Sequence, residues 1–166
     1  LAHSISRACH AEEMWYSLLR KKVQAELRDN EGWYREALPG VTPEMFRDEV
    51  RAAGELGVYL EAGAGLHLLA FAHVLKRPVV LMASRAHMKN TSFSNCGTYL
   101  PLRVPPSELA TRVPVIVAWQ TESFLSGAGH FVCVGPTSLG PAVLPPEWLP
   151  PIVPSLDDTD HTTKAQ

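Results

Sequence analysis

The sequence contains little cysteine and places none of it in a recognisable pair. Its three cysteines, Cys9, Cys96 and Cys133, are an odd number and include no C-x-x-C spacing. This pattern disfavours a disulfide framework and a zinc site, and it fits free thiols in a reducing compartment, the cytoplasm or the nucleus. The seven histidines are scattered without ligand spacing to a carboxylate or a cysteine, so we expect no metal and no other cofactor.

The sequence also lacks a strong excess of either charge and any long hydrophobic run. Fifteen basic and seventeen acidic residues give a formal charge of −2, which provides no basic surface for nucleic acid. The longest apolar stretch, 66–75, contains two histidines and is too short to span a bilayer. No signal peptide and no internal repeat are visible. We therefore expect no nucleic-acid partner and no membrane association.

The length and composition predict one folded domain followed by two less regular segments. The chain has 166 residues, of which 46% are hydrophobic and 19% are charged, which is typical of a globular protein with a substantial core. We expect the domain, a monomer, to cover residues 1–135. Residues 136–156 are proline-rich yet apolar and are predicted to lie extended on the domain, and residues 157–166 to form a polar, flexible tail.

Helical periodicity dominates the first half of the chain. Helices are predicted over residues 1–10, from Glu12 and Glu13 to about Asp29, from the N-cap Thr42 to about Ala53, and over residues 66–76, with a helical turn at Trp33–Leu38. Residues expected to face the core are Trp15, Leu18, Leu19, Val23, Leu27, Met45, Phe46 and Val50, and residues expected on the polar side are Arg20, Lys21, Gln24 and Arg28.

Short apolar runs rich in β-branched residues dominate the second half. Strands are predicted at Val79–Ala83, Thr98–Leu102, Val113–Trp119 and after His130, with a surface loop over residues 84–97. Because helices come first and strands last, the order predicts an α+β fold, with a helical layer packed on a small mixed or antiparallel sheet.

His130 is the candidate catalytic residue. A glycine-bearing turn, Gly127–Gly129, delivers it to the first position of the apolar run 131–134. A histidine at the rim of a sheet is held by rigid backbone and reachable from solvent, which suits a general base. The alternative is a structural histidine at the end of a strand, which predicts that His130→Ala leaves function unchanged.

A nucleophile for His130 is not obvious among the residues of the chain. Cys133 lies on the same strand with its side chain on the opposite face. Cys9 lies near the end of a helix, where the dipole disfavours a thiolate, while Cys96, beside Gly97, is a possible nucleophile. No G-x-S-x-G elbow for a serine nucleophile occurs.

The opening L-A-H-S-I-S-R-A nevertheless resembles the residues that follow the nucleophile in OTU (ovarian tumour) deubiquitinases. That family carries the motif D-G-x-C-L-x-x-A-[IV]-S, to which Leu1, Ser4 (at the usual alanine), Ile5 and Ser6 correspond. Residues 129–132 resemble the histidine strand of the family, and residues 115–119 the strand before it. The order of motifs is most similar to the branch that interacts with valosin-containing protein, over residues 1–135.

The resemblance implies a papain-like OTU fold and a cysteine-dependent isopeptidase acting on ubiquitin conjugates or polyubiquitin. It places the catalytic cysteine immediately before Leu1 and assigns the general base to His130. The third catalytic residue stays open. Some members carry an acid or amide two residues after the histidine, where this chain has Val132, and Glu122 is a candidate for orienting the imidazole, with a solvated loop charge as the alternative.

The resemblance also implies a surface for ubiquitin, and a second function is consistent with the same motifs. By analogy, ubiquitin would lie on residues 33–55 and 84–95, and Trp119 would pack beside the histidine or fill the core. The rival is a catalytically inactive OTU-like module that only binds ubiquitin. The residue preceding Leu1 discriminates the two hypotheses, because only a cysteine there supports an enzyme.

Overall fold

The structure, a computed structural model, describes residues 1–10, 13–58, 60, 65–83, 96–110, 113–121 and 129–134. Residues 84–95 of the predicted loop 84–97, Glu122, the segment 136–156 and the tail 157–166 lie outside these ranges. The described helices and strands, in chain order, are α1 (Ala2–His10), α2 (Tyr16–Asp29), α3 (Glu31–Ala37), α4 (Pro43–Gly54), α5 (Leu66–Leu75), β1 (Val79–Ala83), β2 (Gly97–Tyr99), β3 (Val115–Thr121) and β4 (Gly129–Val134), with a 3-10 turn at Pro106–Glu108.

The four strands form one mixed sheet in the order β2-β1-β3-β4. β1 runs parallel to β3, and the β1–β2 and β3–β4 pairs are antiparallel. The α+β class with a small mixed sheet is thus confirmed. Val79 and Leu81 on β1 and Val115 and Val117 on β3 are buried, so this face of the sheet is the one that packs into the core.

Helix α5 is the most buried helix, because its sequence is apolar on all sides. It begins after Gly65 and ends at Lys76, both of which have left-handed backbone with φ of 63° and 51°. A side chain at position 65 would be strained by that φ and would come within 3.0 Å of the Tyr99 ring. Gly65 therefore fixes the start of α5 against β2.

Four expectations about the helical faces are wrong. Trp15, Leu18 and Met45 were expected in the core, yet 44%, 45% and 47% of their surfaces are exposed. Arg20 was expected on the polar side, yet it is only 6% exposed. Helix α2 also begins at Tyr16 rather than at the acidic pair before it, because Glu13 instead forms an ion pair with Arg7 of α1.

Arg20 is buried because its guanidinium binds the backbone at the end of α4. Its Nε donates to Ala53 O at 3.1 Å, one terminal nitrogen donates to Val58 O at 2.9 Å, and the other donates to Ala52 O and Glu55 O. The last carbonyls of a helix have no partner within it, so Arg20 satisfies the carboxyl end of α4 from the neighbouring helix. Helices α2 and α4 are fixed to each other by this contact.

Candidate active site

His130 lies near the start of β4, at the outer edge of the sheet. Its backbone pairs in register with Gln120 near the end of β3, while Phe131 pairs with Trp119. Side chains alternate along a strand, so His130 is solvent-exposed whereas the next residue, Phe131, is 7% exposed and belongs to the core. The imidazole is therefore held by a paired backbone and is accessible to a substrate.

Phe131 anchors this end of β4 to the core. Its ring packs edge-on against the Trp119 ring with centroids 4.8 Å apart. Aromatic pairs in this geometry contribute about 1 kcal/mol beyond the area that they bury. Trp119 thus contacts the residue adjacent to His130, and its predicted position beside the imidazole itself stays a prediction.

The first turn of α1 is joined to the same strand by a buried hydrogen bond. Ser4 Oγ donates to Phe131 O at 2.7 Å, and Ser4 is 8% exposed. Helix α1 packs on β3 and β4, and Ile5, completely buried, lies next to Ser4 in the core. The first turn of α1 therefore contacts β4 at Phe131, the residue next to His130.

The amino end of α1 has the electrostatics that a thiolate or an oxyanion requires. The first intrahelical hydrogen bond runs from Ile5 N to Leu1 O at 3.0 Å, so the amides of the preceding residues lack partners in the helix. Such amides, together with the helix dipole, stabilise negative charge. A residue placed one turn before Ser4 would lie about 5 Å further along the axis of the helix.

The cysteines of the chain lie elsewhere or in unfavourable environments. Burial raises the pKa of the Cys9 thiol in the last turn of α1. Burial likewise raises the pKa of Cys96, which precedes β2. Since β2 and β4 are three strand spacings apart, about 14 Å, Cys96 is not positioned as a partner of His130. Cys133 pairs in register with Val117, on the core face of β4 opposite to His130.

The third catalytic residue remains open among the described residues. Val132 lies two residues after His130 and shares its face of β4 by strand alternation, and it offers no polar group. Glu122, the other candidate, lies outside the described residues, as do Gly127 and Ala128 of the predicted glycine-bearing turn. The orientation of the imidazole by an acid is therefore still a prediction.

A separate buried polar network occupies the opposite edge of the sheet. Tyr34 Oη lies 2.7 Å from His73 Nδ1 and 3.0 Å from Glu26 Oε1, and Arg103 donates its backbone N–H to His73 Nε2 at 3.3 Å. The guanidinium of Arg103 closes the network on Glu26. Burial, and then Arg103, lower the pKa of His73 to about 4, so this imidazole is neutral at physiological pH.

The network fixes the tautomer of His73. Because Nε2 accepts from the Arg103 amide, the proton of the neutral ring must lie on Nδ1, which donates to Tyr34 Oη. Tyr34 then donates to Glu26 Oε1. Every polar group of this cluster has a partner inside the protein, so we assign it to structure and not to catalysis.

The described residues contain no group of three or more histidine, cysteine or acidic side chains able to hold a metal ion. Nor do the helices in those ranges include one with the length and apolar character needed to cross a membrane.

The chain has sequence similarity to known deubiquitinating proteins. No protein-family model matches the chain. "Deubiquitinating protein VCPIP1" from mouse is 24% identical to it in an alignment of 142 residues that covers 80% of this chain, as is its rat counterpart. The chain is similar to deubiquitinating proteins. The human VCPIP1 protein matches with the same identity, and the chain spans only 11% of the length of these curated relatives.

Ser4 is the site residue whose role the sequence did not reveal. Its position corresponds to an alanine in the motif that the opening resembles, and nothing in the sequence indicates a partner 127 residues away. The signal was indirect: a small hydroxyl residue on the apolar face of α1 needs a hydrogen-bond partner when it is buried. The pairing of α1 with β4 supplies this partner.

Proposed function

We propose that residues 1–135 form the catalytic part of a cysteine-dependent deubiquitinase with a papain-like OTU fold. The observation that carries this proposal is the 2.7 Å hydrogen bond from Ser4, in the first turn of α1, to the backbone of Phe131, next to His130. It brings the amino end of a helix to a solvent-exposed histidine, an arrangement that suits a thiol nucleophile and its base. The similarity to deubiquitinating proteins supplies the substrate class.

In this proposal the nucleophile is a cysteine immediately before Leu1. The dipole of α1 and its free amides lower the pKa of the thiol and hold the oxyanion that forms on the substrate carbonyl. His130 accepts the proton of the thiol as the cysteine attacks the isopeptide carbonyl of ubiquitin. It then donates that proton to the leaving lysine amine, and water hydrolyses the thioester with His130 as base.

The decisive experiment uses a longer chain that includes the residues before Leu1, incubated with ubiquitin whose carboxyl terminus carries a thiol-reactive group. We expect one covalent adduct at the residue before Leu1, with formation slowed by about 100-fold or more in His130→Ala. The control is Cys133→Ser on the same strand, which should react at the unchanged rate because its side chain lies on the other face.

Three outcomes would overturn the proposed enzymatic function: a residue other than cysteine before Leu1, no adduct, or an adduct that forms at full rate in His130→Ala. In each of these cases, binding of unmodified ubiquitin measured by calorimetry separates an inactive ubiquitin-binding module from an unrelated α+β domain.

A further inference from the structure

An exposed apolar groove lies between α2 and the end of α5, away from the candidate active site. Its volume is about 420 Å³, and we call it the tail groove. It is lined by Trp15, Leu18, Leu19, Lys22, Val74 and Leu75. Trp15, Leu18 and the neighbouring Met14 expose between 44% and 65% of their surfaces. Single exposed apolar residues are ordinary, but a cluster of them beside a groove is typical of a binding surface.

The topology places the end of β4 at the same end of the sheet as the tail groove. Val134, the last residue of β4, pairs with Ile116 near the start of β3, and Val115 pairs with Val79 at the start of β1. β1 directly follows the carboxyl end of α5, where Val74 and Leu75 line the groove. β4 and β1 flank β3, so their ends are about 10 Å apart.

The segment that follows β4 is long enough to reach the groove and has matching chemistry. Residues 135–142 can span up to about 26 Å. Residues 143–153, V-L-P-P-E-W-L-P-P-I-V, then combine apolar side chains with four prolines and a single charge, Glu147. Proline-rich segments favour the extended polyproline conformation and bind in grooves lined by aromatic residues, as Trp15 lines this one. Among the described residues that line the groove, Lys22 is the charged one, and its sign is opposite to that of Glu147.

We propose that the tail groove binds residues 143–153 of the same chain, with the apolar side chains against Trp15 and Leu18 and Glu147 beside Lys22. This segment lies outside the described residues, and its contact would cover the apolar surface that α2 and α5 leave exposed. The contact would also fix the course of the chain beyond β4. Neither role depends on the enzymatic activity.

The test is photocrosslinking in the full chain with p-benzoylphenylalanine substituted for Trp148. We expect crosslinks within one molecule to residues 14–22 and 74–75, identified by peptide mass spectrometry. The same photoreactive group substituted for Thr159, beyond the segment, should give few crosslinks there. Crosslinks mainly to other parts of the domain, or between two molecules, would overturn the proposal, as would the absence of crosslinks in a folded chain.

A charge exchange tests the pairing of Glu147 with Lys22 without disturbing the fold, because Lys22 is exposed. Lys22→Glu should lower the yield of the groove crosslinks by roughly two- to five-fold, the range expected for one exposed ion pair. Adding Glu147→Lys should restore the yield. The matched control, Lys21→Glu, changes an exposed lysine that does not line the groove and should leave the yield unchanged. If Lys22→Glu and Lys21→Glu lower the yield of the groove crosslinks equally, the assigned pairing of Glu147 with Lys22 is wrong.

Discussion

At the scale of single residues, Ser4 connects the fold to the proposed chemistry. Its hydroxyl is the buried contact between the first turn of α1 and the backbone beside His130. Ser4→Ala leaves Phe131 O without this donor, so we expect the free energy of unfolding to fall by about 1 kcal/mol in urea titrations. If the bond also positions His130, the rate of probe adduct formation should fall by more than this loss of stability explains.

The matched control for Ser4 is the hydroxyl of Thr42. Thr42 Oγ1 accepts a hydrogen bond from the Met45 amide at 3.2 Å at the start of α4, and among the described elements α4 packs chiefly on α2. Thr42→Ala should cost about 1 kcal/mol as a lost helix cap, with unchanged adduct formation. Equal rates in Ser4→Ala and Thr42→Ala would show that the Ser4 bond stabilises the fold but does not position the histidine.

The lowered pKa of His73 predicts that the stability of the protein depends on pH. The unfolded chain binds a proton at this residue below pH 6.5, whereas the folded protein binds it only below about 4. Between these values the unfolded state binds more protons, so stability is lost as the pH falls. Between about pH 7 and pH 4.5 the loss from His73 should be about 2 kcal/mol.

The measurement for His73 is urea unfolding at these two pH values, with His73→Asn as the variant. The groups that face the ring are Glu26, Tyr34 and Arg103 together with the Trp33 ring. His73→Asn should be less stable at neutral pH and lose less stability on acidification. His67, whose pKa burial also lowers to about 4, keeps part of the pH dependence in both proteins. The same acid sensitivity in the variant would contradict the assignment to His73.

At the scale of elements, the helix pattern could be predicted well from the sequence but the partners of the helices could not. Periodicity and the Thr42 cap located α4, and the continuous apolar run located α5. The same periodicity placed Leu18 in the core and Arg20 outside it. A hydrophobic stripe shows which side of a helix is apolar, but not how far along the helix a neighbour covers it. The carbonyls that bind Arg20 lie at and just after the end of α4, more than 30 residues away in the sequence, and no sequence pattern indicates them.

Arg20 should therefore be a residue on which the packing of α2 against α4 depends. Lysine has one donor group in place of the planar fork that reaches Ala53, Val58 and the neighbouring carbonyls. Arg20→Lys should lower the free energy of unfolding by roughly 2–3 kcal/mol, since buried carbonyls lose their donors. Thermal and urea unfolding measure this change. Arg28→Lys on the exposed part of the same helix should change it by less than about 0.5 kcal/mol.

At the scale of the whole molecule, the fold brings together two sequence motifs that lie far apart in the chain, the start of α1 and the strand of His130. The α+β class followed from the order of the elements, and the position of His130 near the start of a strand was predicted from the apolar run that follows it. The parallel pairing of β1 with β3 could not be predicted, because both strands are short apolar runs that fit several registers. The contact of α1 with β4 depends on the strand order β2-β1-β3-β4, because this order places β4 at the edge of the sheet, next to β3, and α1 packs on both strands.

The surface proposed to bind ubiquitin can be tested with two exposed apolar residues, one on α4 and one just after it. Residues 33–55 were predicted to contribute, and Met45 within them and Leu56 just after them are 47% and 59% exposed. An arginine at either position removes apolar contact and adds a charge without disturbing the core. Met45→Arg and Leu56→Arg should each raise KM for a ubiquitin substrate about 10-fold and leave kcat unchanged, as expected when uniform binding energy is lost.

The matched control for this surface is Val113, which is 64% exposed and precedes the start of β3. His130 pairs with Gln120 near the other end of β3, so Val113 lies at the opposite end of the sheet from the candidate site. Val113→Arg should leave KM unchanged in steady-state assays of the longer, active chain. An increase in KM with Val113→Arg but not with Met45→Arg or Leu56→Arg would assign ubiquitin to the opposite end of the molecule. The ubiquitin tail would then need a different path to His130.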